Sequence, residues 1–134
     1  MVARLTMNSP ISTRDLMRLT EITYGSALAI ESYGPGFFRV GTHVLRGASL
    51  ITPWDAGAWG GLLDMAAPLS LAGKIDVLLV GLGPEVSVIP RGFRLALEEV
   101  GIGVEPMNTP AACRTYNVLL GEGRRIAAAV LPVP

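Results

Sequence analysis

The chain has 134 residues, half of them apolar (50%) and only 16% charged, and its 11 basic and 11 acidic side chains cancel. That length fits one domain with a core of its own, since chains near this size bury about two thirds of their extended surface on folding. The composition excludes a disordered chain, a nucleic-acid stripe and a polybasic membrane patch, and a single Cys with a single His excludes a disulfide framework and argues against a metal site.

The mean hydropathy is high, +0.46, but the longest uncharged apolar stretches, 65–73, 77–84 and 126–134, fall far short of the roughly 20 residues a spanning helix needs. No apolar secretory core follows the N-terminus. The first twenty residues hold Arg4, Arg14 and Arg18, with Asp15 as the one acid. They are read as part of a loosely ordered extension, 1–25, before a single globular domain, 26–134, in a cytoplasmic protein. The alternative is a mitochondrial presequence and a matrix location. A short helix from Ser12 to about Leu19 is expected, capped by Ser12.

From Ala27 the pattern changes. Ala27–Tyr33, Phe37–Leu45 and Ala48–Thr52 read as strands, separated by Gly34-Pro35-Gly36 and Arg46-Gly47 and ended by Pro53. They predict an antiparallel meander in which Phe38, Val40, Thr42 and Val44 share one face, with Arg39 and His43 on the other. Trp54 and Trp59 are expected to anchor a Gly-rich connection, and 62–71 to hold one or two helical turns. Asp76–Val80 is a short apolar strand that ends in Gly81-Leu82-Gly83-Pro84. Pro90 starts a helix that Gly101 stops. Gly103–Met107 is a strand. Asn108-Thr109-Pro110 opens a second helix, with Thr109 read as the N-cap, running to about Leu120. Arg125–Leu131 is the last strand. The span from Asp76 to Met107 has the size of a βαβ crossover, which is right-handed and makes its strands parallel. The expected class is α/β (α+β): an N-terminal antiparallel meander joined to a mixed sheet with a βαβαβ C-terminal half, helices on one side.

Ligands of parallel units bind beyond the carboxyl ends of the strands. Two loops leave such ends, Gly81–Gly83 and Asn108–Pro110, and are expected to share a rim. Free amides at Ala111 and Ala112 and the guanidinium of Arg114 would favour an anion there. Cys113 has two readings: a thiolate favoured by the helix start and Arg114, or a core side chain on a stripe with Tyr116 and Leu120; the apolar stripe favours the second. Arg114 and Asn117, three apart, are expected to face the glycine rim. Glu122 and Arg124 are expected to hold the following turn as a local ion pair. His43 has no partner in the pattern, Glu98 and Glu99 project apart, and no nucleophile–base or metal motif occurs. No catalytic residue, metal ligand or cofactor is assigned.

The run Ala111-Ala112-Cys113-Arg114-Thr115-Tyr116-Asn117, within Gly101–Asn117 and followed by Glu122-Gly123-Arg124 and an alanine-rich strand, resembles a small domain family of uncertain biochemistry. That family includes an adipogenesis-associated domain-containing protein, a mitochondrial respiratory complex I assembly factor and bacterial single-domain members. Tyr33-Gly34, Phe38-Arg39-Val40, Trp59 and Asp76–Gly83 support the resemblance, which spans about 27–131. It implies a three-layer β/β/α sandwich with a mixed central sheet. It also implies that Gly81, Gly83, Thr109, Arg114, Tyr116, Asn117, Glu122 and Arg124 occupy motif positions; Leu82 stands where the family usually has Thr. It supplies no reaction. The functional expectation is a non-catalytic, assembly-factor-like protein with a protein partner, such as a subunit of a membrane complex of the respiratory complex I kind, and without nucleic acid. The alternative is a binding protein or enzyme for a small anionic ligand at the rim formed by Gly81, Gly83, Thr109, Cys113, Arg114 and Asn117.

Overall fold

Glycine turns divide the N-terminal third into short strands. The computed structural model describes residues 27–134; the extension over 1–25, and the helix from Ser12 within it, lie outside the described residues. Strands β1 (Ile30–Gly34), β2 (Phe37–Val40) and β3 (His43–Arg46) form an antiparallel sheet in the order β1-β2-β3. Gly41, at φ 60, takes the left-handed turn that glycine makes without a Cβ penalty, so the single strand expected over Phe37–Leu45 is two. The turn also shifts the phase. Phe38 pairs with Leu45, and Leu45, not Val44, packs inward beside Phe38 and Val40, while Val44 is exposed.

The third expected strand leaves the meander. β4 (Ser49–Ile51) joins a five-stranded mixed sheet of order β5-β4-β8-β6-β7, with β5 (Ala56–Ala58), β6 (Val77–Leu82), β7 (Gly103–Met107) and β8 (Ile126–Leu131). β5 has no counterpart in the sequence reading. A tight turn makes it: the Thr52 hydroxyl accepts the Asp55 N–H (2.8 Å) and donates to the Asp55 carbonyl (3.0 Å). β6 is parallel to both β7 and β8, and β4 is antiparallel to β8. Three helices connect these strands: α1 (Ala66–Leu69), α2 (Arg91–Glu99) and α3 (Thr109–Gly121).

Strand alternation feeds two cores, one on each face of this sheet. Leu78, Val80 and Leu82 of β6, with Ala127 and Ala129 of β8, meet Trp59, Leu71, Phe93 and Leu97. Leu79, Ala128 and Val130 meet Ile30, Phe38 and Val40 of the meander and Ala112, Cys113 and Tyr116 of α3. α1 and α2 therefore cover one face, and α3 lies beside the meander on the other. This corrects the expectation of helices on one side. The reason is topological: the chain steps from β6 outward to β7, then back across β6 to β8. Two right-handed crossovers running in opposite directions place their helices on opposite faces. The three layers are α1 with α2, the five-stranded sheet, and the meander with α3. Trp59 is buried, its indole N–H donating to the Asp64 carbonyl (3.1 Å) and its ring meeting Phe93 edge-on at 6.3 Å.

Candidate functional site

The two rim loops meet as the parallel pairing of β6 and β7 requires, and they bond to each other. The Thr109 N–H donates to the Gly83 carbonyl (2.7 Å). The Thr109 hydroxyl accepts the Gly83 N–H (2.8 Å) and donates to the Leu131 carbonyl (2.6 Å). One fully buried side chain thus ties the ends of β6 and β8 to the start of α3. Thr109 has the freedom to do this because it is not the N-cap, contrary to the sequence reading. Asn108 is: its Oδ1 accepts the Ala111 N–H (2.8 Å), and its carbonyl accepts the Ala112 N–H (3.0 Å). The two amides expected to point free at the rim are therefore bonded. The glycines have separate reasons. A Cβ on Gly81 would lie 2.9 Å from both Thr109 Oγ1 and Val130 Cγ1, so only glycine lets α3 start this close to the sheet. Gly83, at φ 89, makes the turn.

Cys113 is 3% exposed, in the core between α3, the sheet and the meander. Burial pushes its thiol up to about 11, against a smaller downward pull from the Arg114 guanidinium. It is a neutral thiol near pH 7, not the thiolate that the helix start suggested. Tyr116 is fully buried, and its hydroxyl donates to the Leu28 carbonyl (2.7 Å); burial raises its phenol as well. Asn117 turns to β1. Its Nδ2 donates to the Ile30 carbonyl (2.8 Å) and its Oδ1 accepts the Ile30 N–H (2.9 Å). The carboxamide pairs with the free edge of β1 much as a neighbouring strand would. Asn117 and Arg114 therefore part company: Asn117 holds the meander, and Arg114 is exposed. Val118, four residues further along and on the same face, is 59% exposed.

At the other end of α3, Glu122 and Arg124 approach to 3.8 Å, both largely exposed, around Gly123 at φ 73. A second ion pair escaped the sequence reading. Arg125 donates through Nε and Nη2 to the two carboxylate oxygens of Asp76 (3.2 and 3.1 Å) and through Nη2 to the Gly73 carbonyl (3.3 Å). The signal was present: opposite charges open two strands whose next residues, Val77 and Ile126, are in register. It becomes readable only once those strands are known to be neighbours. Among the described residues no cluster of three or more His, Cys, Asp or Glu is placed to hold a metal ion. No helix there is long and apolar enough to cross a membrane.

The geometry defines a three-layer mixed α+β domain whose motif residues lock a meander, a helix and a sheet rim together. The chain belongs to the family described as "Protein of unknown function (DUF498/DUF598)", whose model matches residues 30–131, in agreement with the resemblance carried by the Ala111–Asn117 motif. It is 49% identical over 111 residues to an uncharacterized protein of Rhodobacter capsulatus, covering 83% of this chain and 90% of that one. It is 30% identical over 128 residues to the human NADH dehydrogenase (ubiquinone) 1 alpha subcomplex assembly factor 3, covering 90% of this chain and 70% of that one. Among solved structures, that of an outer membrane protein from Bartonella henselae superposes with a TM-score of 0.73 at 35% identity, over 81% of this chain and 97% of that one.

Proposed function

We propose that the chain is a non-catalytic docking protein that helps to assemble a membrane-bound protein complex, of the respiratory complex I kind. One observation carries this reading. The polar side chains of the motif, Thr109, Tyr116 and Asn117, bond to backbone inside the fold, so what the motif offers outward is a shaped surface. Arg114 and Val118 of α3 are the exposed part of that surface. The rim residues Gly81, Gly83, Thr109, Cys113 and Asn117 support it from beneath. The name of the human relative, an assembly factor, supports a protein partner. A small anion at the rim fits less well, because it would have to displace Asn108 from the Ala111 N–H. The place of action in this reading is the cytoplasm, which suits a chain whose one Cys is a buried free thiol.

The test is recovery of partners by the immobilised wild-type chain and its Arg114→Ala and Val118→Asp variants from detergent-solubilised native membranes, with urea unfolding run in parallel. The wild type should recover respiratory-chain subunits several-fold better than either variant, while stability stays within about 0.5 kcal/mol, as for surface changes. Equal recovery by all three proteins, or none of these subunits with the wild type, would overturn the proposal.

A further inference from the structure

β5 is the outermost strand of the five-stranded sheet, and among the described residues its edge is the one left unguarded. The edge of β1 is taken by the Asn117 carboxamide, β3 carries His43 and Arg46, and β7 carries Glu105 and Pro106; charges and proline are the usual guards of a free edge. β5 is Ala56-Gly57-Ala58. The Thr52 N–H donates to the Asp55 carbonyl and the Trp59 N–H to the Ala48 carbonyl. This phase turns the backbone of Asp55, Gly57 and Trp59 toward β4 and leaves the Ala58 N–H and the carbonyls of Ala56 and Ala58 facing outward. Beside the edge, between β5 and α1, lies a groove of about 210 Å³ lined among others by Leu50, Trp54, Gly57, Ala67 and Leu71. A Cβ on Gly57 would meet nothing within 4 Å, so the groove is open above that residue. Its volume exceeds the roughly 150 Å³ that takes up a benzene ring and falls short of the roughly 300 Å³ at which small-molecule sites begin. That is room for one side chain.

We infer that the β5 edge and its groove dock an extended segment of a partner protein, added as a further strand, with an Arg or Lys side chain lying over Gly57. The outward groups of Ala56 and Ala58 supply the backbone bonds, and the groove takes the side chain, the two parts of recognition by strand addition. Charge selects that side chain. Among the described residues Asp55 is the one charged residue lining the groove, and Trp54, 52% exposed, lines it as well. A carboxylate beside an indole suits a cation and repels an anion. Asp55 holds the Ala56 N–H through Oδ1 (2.8 Å), which leaves Oδ2 to meet the cation. Asp55 and Gly57 are two residues apart on one face of the strand, about 6.7 Å. The stem of Lys or Arg spans that distance with its methylenes against Leu50 and Leu71. The groove lies on the α1 face of the sheet, opposite α3, so this surface is separate from the one that Arg114 and Val118 form.

An NMR titration of the isotope-labelled full chain tests this. The probes are the peptide acetyl-Thr-Val-Thr-Arg-Thr-Val-Thr-amide and the same peptide with Glu in place of Arg. The Arg peptide should shift the amide signals of Gly57 and Ala58 saturably and bind at least tenfold more tightly than the Glu peptide. Gly57→Leu, which fills the groove, should weaken the Arg peptide at least tenfold. Asp55→Asn, which keeps an oxygen for the Ala56 N–H, should abolish the preference for Arg over Glu. Amide signals unchanged away from β5 establish that both variants are folded. The inference is overturned if Ala58 shows no saturable shift, if the two peptides bind the wild type alike, or if either folded variant binds as the wild type does. It is also overturned if the Ala58 signal shifts with protein concentration in the absence of peptide, since a second copy of the chain would then be the occupant.

Discussion

Replacing Thr109 by Val keeps the shape of the side chain and removes its hydroxyl. Two partners lose their bond, the Gly83 N–H (2.8 Å) and the Leu131 carbonyl (2.6 Å). Each buried group left unpaired costs about 1–3 kcal/mol. Gly83 is buried, whereas Leu131 is half-buried and its carbonyl regains some water, so the total is about 2–3 kcal/mol, in the lower half of the summed range. With a urea slope of about 2 kcal/mol/M, the unfolding midpoint should fall by about 1–1.5 M with the slope unchanged. Thr109→Ser is the control. It keeps the hydroxyl and loses one buried methyl, at a cost of about 1 kcal/mol. If Val costs no more than Ser, the hydroxyl is not what joins the rim, and the reasoning about Thr109 is refuted.

Gly81→Ala should destabilise by about 1–3 kcal/mol, the usual range for overpacking, because the new methyl meets Thr109 and Val130 at 2.9 Å; a midpoint equal to that of the wild type would show that α3 can shift at no cost. Asn117→Ala should cost about 1–3 kcal/mol by unpairing both backbone groups of Ile30, and hydrogen exchange at Ile30 should speed up well before exchange in β6 does. Cys113 should react with a thiol reagent far more slowly than a free thiol at pH 7. Its folded-state value, about 11, lies above the ordinary 9, so its contribution to stability is full below pH 9 and disappears as pH rises through 11. A Cys113→Ala variant should show a shallower loss over that window, and identical pH profiles would count against burial as the cause.

The order of elements was legible from local pattern. Gly34-Pro35-Gly36 and Gly101 punctuate the chain, Pro90 and Asn108-Thr109-Pro110 open helices, and apolar runs at 77–82 and 126–131 mark strands buried on both faces. These signals rest on residues within a few positions of one another, and they suffice for the βαβαβ half and for the burial of Cys113 and Tyr116 along one helical stripe. It misjudged Gly41-Thr42, because a glycine amid β-formers suits a strand as well as a turn, and the phase of Val44 and Leu45 changed with it. It placed the cap at Thr109 because Asn and Thr cap almost equally well; only the carbonyl of Leu131, 22 residues away in the chain, shows where the threonine hydroxyl is needed. Tertiary structure alone decided that β4 leaves the meander, that α3 lies opposite α2, and that Asn117 serves β1, 87 residues distant. Such contacts leave no local periodicity, because their geometry follows from crossover handedness and sheet order, which exist only once the strands are side by side.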